Sequence, residues 1–321
     1  MLLLGGLLSF SLCLMLIPAV IALAWRIGAI DVPRDWRRMH SNPIPRAGGL
    51  AIFFSFTASA IVFAGRFPYL ISVLCGGGLL FALGLADDMF CLPAFFKLLF
   101  QFAAATASVF ASGIVSENVA VWAILWVVVL TNAHNFIDGL DGLFAGCSAI
   151  EGSALCAAFL SRGEGDFAMP PLLLAGACLG FRCFNRHPAE IFAGDCGSGT
   201  VGFLLGMLSL PLFAEGESLF VSLSPLLMFA YPLTDLFTAV VRRVLRGKSP
   251  FSADRAHLHH RICAVGLNPP QCGGVLLLIT VALNIVGVLL AAESYLFFTA
   301  LACFASALLL IRLRHFITDC R

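Results

Sequence analysis

"MLLLGGLLSFSLCLMLIPAVIALAW", residues 1–25, runs to Arg26 without one charged side chain. An α-helix needs about 20 consecutive apolar residues to cross the hydrocarbon layer, so this stretch is long enough. A cleaved secretory leader would begin with basic residues and carry a shorter apolar segment, which is not the pattern here. The stretch reads as a retained membrane span with its N-terminus outside, because arginines follow it.

The pattern recurs along the chain. Apolar runs are expected to span near 2–25, 48–65, 68–86, 95–113, 119–133, 143–160, 168–184, 199–214, 219–241, 272–291 and 295–311. The fifth is short, and the third and eighth carry glycine, so the expectation is ten to eleven helices in one integral domain over 1–321. Composition agrees: 60% of residues are hydrophobic and 12% charged, too apolar for a soluble core. A net charge of +1 argues against nucleic acid as a partner. Twelve cysteines without a C-x-x-C pair read as small buried hydrophobes.

Seventeen of nineteen lysines and arginines fall in alternate loops or at the C-terminus, leaving Arg66 and Arg162 opposite. The positive-inside rule makes the crowded side cytoplasmic and places the C-terminus there. Five polar clusters lie on that side.

In 31–49, "DVPRDWRRMHSNPIPRAGG", arginines including Arg46 either steer an anionic substrate or only set topology. In "GLADDMFCLP", 84–93, Asp87 and Asp88 end an apolar run, where adjacent carboxylates call for a cation, a base or proton chemistry. In "TNAHNFIDGLDGL", 131–143, Asn132, Asn135, Asp138 and Asp141 recur every third residue and would share a helical face. Their hard oxygens suit Mg²⁺, with Mn²⁺ as a substitute; the spacing does not fit a calcium loop. His134 lies off that face and reads as a structural hydrogen bonder. In "FAGDCGSGTVG", 192–202, Asp195 precedes a new helix whose N–H groups suit phosphate. The last cluster, "RRVLRGKSPFSADRAHLHHRI", 242–262, holds Arg255, His257, His259 and His260. Arginines beside the histidines would repel a zinc ion, so the cluster reads as a diphosphate binder.

Together these clusters make a kit for metal-assisted phosphoryl transfer between a soluble nucleotide and a lipid acceptor. Their order over 31–265 resembles the polyprenyl-phosphate N-acetylhexosamine-1-phosphate transferases. That superfamily includes the phospho-MurNAc-pentapeptide translocase and the GlcNAc-1-phosphate transferases of O-antigen, enterobacterial common antigen and teichoic acid linkage units. "NAHNFIDGLDGL", "GDCGS" and "SPFSADRAHLHHRI" resemble the GlcNAc-1-phosphate branch; the translocase branch has three consecutive histidines, which Leu258 interrupts here. Cys91 stands where several relatives have a third acid. The chain's length leans towards a teichoic-acid-type or generic bacterial member.

The resemblance implies transfer of GlcNAc-1-phosphate from UDP-GlcNAc to undecaprenyl phosphate, with Mg²⁺, at the inner face of the bacterial cytoplasmic membrane. Asp195 and Asn135 would hold the metal, and Asp87 and Asp88 would be the critical acids. Asp138 and Asp141 would lie by the nucleotide, with Phe192 stacked on uracil. His257, His259 and His260 would meet the diphosphate and sugar. Another UDP-HexNAc or UDP-MurNAc-pentapeptide remains an alternative donor, and a homodimer stays open. A transporter would instead show charges near span centres and broken, symmetric helices; a scaffold would lack the acids.

Overall fold

The computed structural model describes residues 1–32, 42–63, 65, 67–249, 257–264 and 266–294. Arg255, the side chain of His259 and the expected span at 295–311 lie outside the described residues.

The chain is a bundle of α-helices: α1 (Leu2–Ile27), α2 (Gly49–Phe63), α3 (Leu70–Phe90), α4 (Ala94–Ser112), α5 (Glu117–Ile137) and α6 (Leu143–Ser161). There follow α7 (Gly165–Asn185), α8 (Asp195–Leu208), α9 (Leu219–Met228), α10 (Ala230–Leu245), the short α11 (Leu258–Cys263) and α12 (Pro269–Ala291). Two residues each of β1 (Ile30–Asp31) and β2 (Ile44–Pro45) form an antiparallel ribbon that the all-α expectation did not contain. Each of the ten expected spans within the described residues falls on helix. Seven helices are long and apolar enough to cross a bilayer, or eight with the bent pair α9–α10 counted as one. Trp122, Ile71, Phe110 and Leu278 are among the large apolar side chains left exposed on them. That is the surface a multi-pass protein offers to acyl chains.

Two expected spans are shorter than a membrane crossing. With 15 residues α2 is about 22 Å long, and α8 with 14 is shorter, against about 30 Å of hydrocarbon. Burial explains why α8 tolerates this: nearly every residue is enclosed by neighbouring helices, so protein rather than lipid satisfies its ends. The expected span 199–214 is α8 followed by a 3₁₀ turn at Leu210–Phe213. The expected span 219–241 is broken at Phe229 by 71°. Pro232 has no N–H to give the carbonyl of Met228, and Asn284 of α12 donates to that carbonyl instead, at 2.9 Å.

Two carboxylates lie inside the bundle. Glu151 of α6 is fully buried and bonds Nε2 of His134 at 2.7 Å, while His134 Nδ1 meets the Leu130 carbonyl at 2.9 Å. His134 is thus a structural hydrogen bonder. Asp235 of α10 is also fully buried.

The C-terminal ends of α3, α5 and α10 and the N-terminal ends of α4 and α8 converge at one end of the bundle, where the site lies. At the other end Arg162 donates to Glu164 at 3.0 Å and to Glu217 at 2.6 and 2.7 Å, tying the α6–α7 turn to the segment before α9.

Candidate active site

Asp195 opens α8, following Gly194, whose φ is 73°. A side chain at Gly194 would meet Asp88, because its Cβ would stand 2.5 Å from Oδ2. The Asp88 carboxylate instead accepts from the backbone N–H groups of Asp195 (2.9 Å) and Cys196 (3.0 Å), so it caps the start of α8 from α3. Its side chain is 1% exposed.

The two adjacent acids of α3 have different partners. Asp87 accepts from Lys97 Nζ at 2.7 Å and from the Leu92 N–H at 2.7 Å, beyond the left-handed Cys91 (φ 52°) that ends α3. Lys97 also reaches Asp195 Oδ2 at 3.1 Å. From the other side Arg46, just after β2, meets Asp88 at 3.2 Å and Asp195 Oδ1 at 2.6 Å. The main chain holds Arg46 there: it forms a parallel bridge with Phe192, and the Phe192 N–H donates to Pro45 at 2.8 Å. Asn135 donates to Asp195 Oδ2 at 3.3 Å and accepts from Ser198 Oγ at 3.0 Å.

Two cavities flank this cluster, and Asn135 and Asp195 line both. One also has Arg46, Asp138, Asp141, Phe192 and His260 on its walls. The other is walled by Leu80, Leu83, Leu98, Leu236 and Val240, with Lys97, Asn132 and Arg243 adding polarity. The first is lined mainly by charged and polar side chains, and the second has the larger share of apolar ones.

The expected common face of Asn132, Asn135, Asp138 and Asp141 does not form, because α5 ends at Ile137. Asn132 points to the greasy cavity and donates to Gln101 at 2.7 Å. Asp138 and Asp141 lie beyond the helix. Burial raises the Asp138 carboxyl well above the ordinary carboxylate range, against the pull of Arg46. Asp141 holds the next loop, meeting His187 at 2.8 Å and the Ala189 N–H at 3.2 Å.

His257 lies against Asp235 of α10 at 2.8 Å, and His260 reaches the polar cavity. Sequence reasoning passed over Asp235, and Lys97 served it only as a topology charge. A lone carboxylate inside an apolar run was the available signal for Asp235.

Among the described residues Asp87, Asp88 and Asp195 share Arg46 and Lys97, an excess of one negative charge that a bound cation would offset. Among the described residues no three His, Cys, Asp or Glu side chains form a metal cage. Mg²⁺ fits such a site, since it takes one or two protein oxygens and completes its shell with water and substrate phosphate.

A family model for glycosyl transferase family 4 matches residues 70–212, which include both α3 acids, Lys97 and Asp195. The chain is 35% identical over 277 residues to a Bacillus subtilis protein named probable undecaprenyl-phosphate N-acetylglucosaminyl 1-phosphate transferase, covering 81% of this chain and 76% of that one. It is 36% identical to decaprenyl-phosphate N-acetylglucosaminephosphotransferase of Mycolicibacterium smegmatis, covering 76% and 71%. A more distant relative, at 26% identity with 87% and 81% covered, is the Yersinia pestis undecaprenyl-phosphate alpha-N-acetylglucosaminyl 1-phosphate transferase. The chain therefore belongs to glycosyl transferase family 4.

Proposed function

We propose that this protein transfers GlcNAc-1-phosphate from UDP-GlcNAc to undecaprenyl phosphate, releasing UMP and beginning a cell-envelope glycan. The observation that carries this is the position of Asp195 and Asn135 between a polar and a greasy cavity. The polar cavity takes the nucleotide sugar: Phe192 offers a ring to uracil, and Asp138 and Asp141 lie beside the nucleotide. His257 and His260, with His259 and Arg255 close to them in sequence, are assigned to the diphosphate and sugar. The greasy cavity takes the first isoprene units, with Lys97 and Arg243 receiving the lipid phosphate.

The lipid phosphate oxygen attacks the phosphorus that carries the sugar. A new P–O–P link forms as the bond to the bridging oxygen breaks, and UMP leaves with the electron pair. A phosphate monoester has a second pKa of about 6, so near neutrality no base need remove a proton. Asp87 then orients the acceptor through Lys97, while Asp88 fixes Arg46 and the start of α8. Asp195 and Asn135 would hold Mg²⁺, which when bound neutralises charge on the diphosphate. The basic residues crowd the site end of the bundle, which supports a cytoplasmic site in the bacterial inner membrane.

The test is a transfer assay on purified protein with undecaprenyl phosphate, Mg²⁺ and a panel of UDP-sugars. Lipid product from UDP-GlcNAc, abolished by EDTA, is expected. Product only from another UDP-sugar would move the donor assignment, and none from any donor would favour a transporter.

A further inference from the structure

Asp235 sits in the apolar run of α10 with no exposed surface, and the reaction as written gives it no task. A carboxylate in that setting is costly unless its oxygens are satisfied. Its Oδ2 meets His257 Nδ1 at 2.8 Å, and its Oδ1 accepts from the Leu258 N–H at 2.6 Å. His257 is the residue before α11 and Leu258 its first residue. One carboxylate therefore grips an imidazole and the start of the helix that carries it.

The grip also decides the ring's chemistry. A carboxylate only accepts, so Nδ1 must hold a hydrogen; a bare Nδ1 would set two acceptors against each other. With Nδ1 fixed, the direction of Nε2 follows. The ring is held from a second side as well. Phe136 packs edge-to-face on it at 5.4 Å between centroids, and the Arg243 guanidinium lies 5.1 Å from the centre of the Phe136 ring. Phe136 lines the greasy cavity, and the His257 ring stands 6.5 Å from that of His260, which lines the polar one.

We propose that Asp235 is a positioning residue: it fixes the tautomer of His257 and the start of α11, so that Nε2 is presented to the donor diphosphate. This rests on the assignment of the histidine helix to the donor made above. The rival is a plain tether, in which Asp235 ties α11 to α10 and the tautomer has no consequence. Asp235→Asn separates the two. Its carbonyl can still accept from Leu258, but its amide N–H faces Nδ1, which then becomes an acceptor and leaves the hydrogen on Nε2.

The experiment measures kcat, the KM for each substrate and the thermal midpoint of the full chain in lipid nanodiscs. The variants are D235N, H257A, the double variant and His257→Asn. In His257→Asn the amide N–H stands where Nδ1 was and can still bond Asp235, but nothing replaces Nε2. Positioning predicts that D235N loses about 100-fold in kcat, the size of one misplaced transition-state hydrogen bond. The KM for undecaprenyl phosphate and the thermal midpoint stay unchanged. The double variant is no slower than H257A, because both changes act on one imidazole, and His257→Asn is as slow as H257A. A wild-type D235N beside a slow H257A overturns the inference while leaving the histidine reading intact. So do losses that multiply in the double variant, or an active His257→Asn. A wild-type H257A overturns the donor assignment and this inference with it. Should D235N melt early, His257→Asn decides alone, since it leaves Asp235 in place.

Discussion

Asp87 and Asp88 are neighbours in sequence and of one chemical type, yet their bonds give them different work. Asp88 satisfies two backbone N–H groups and Arg46 with almost no exposure. Asp88→Asn keeps one carboxylate-like oxygen and replaces the other with a donor facing an N–H, so stability should fall by about 1–3 kcal/mol. A thermal melt checks this, and activity should fall with it as α8 and Asp195 shift. Lys97→Met should lower the melt, because Asp87 and Asp195 lose a shared cation, and should also weaken acceptor use, lowering kcat/KM for undecaprenyl phosphate about 100-fold with a smaller effect on the donor. The acids were legible in the sequence because carboxylates are conspicuous in so greasy a chain. Their division of labour was not, because Asp88 turns to the start of α8, more than 100 positions away, while Asp87 turns to the nearby Lys97 and Leu92. Lys97 was hidden for a related reason: a single lysine after an apolar run looks like any topology signal.

At the level of elements, α8 brings the site together by packing unusually close to α3. A Cβ on Gly84 would lie 2.5 Å from the Cys196 Cα, a backbone atom that cannot swing aside. Gly84→Ala should push the helices apart and cost about 1–3 kcal/mol. It should also cost activity, since Gly84 stands one turn before Asp88; a melt and an initial rate measured together check both. Most element positions were legible, because each apolar run is long and bounded by turns or charge. The break at Phe229 was not, since Pro225 and Pro232 also fit an unbroken run and the compensating Asn284 lies on α12. That break also separates α9 from α10, which carries Asp235 and Arg243 to the site end. The short α8 was read as an ordinary span because hydropathy cannot tell a helix facing lipid from one enclosed by other helices.

Across the whole molecule, the site end carries the chemistry and the far end a latch. Arg162 with Glu164 and Glu217 is partly exposed, so its worth is modest, about 1 kcal/mol. Arg162→Ala should lower the thermal midpoint slightly and leave kcat and both KM values unchanged; a large loss of kcat would mean that the two ends are coupled.

The central claim is that a phosphorus atom, not only a sugar, passes between the two cavities at Asp195. UDP-GlcNAc labelled with ³²P at the phosphorus bearing the sugar tests this directly, in one incubation with undecaprenyl phosphate and Mg²⁺. The account predicts that the label moves into the lipid extract while unlabelled UMP accumulates. Label left in soluble UDP beside a sugar-bearing lipid would mean that the sugar moved without its phosphate, and would contradict it.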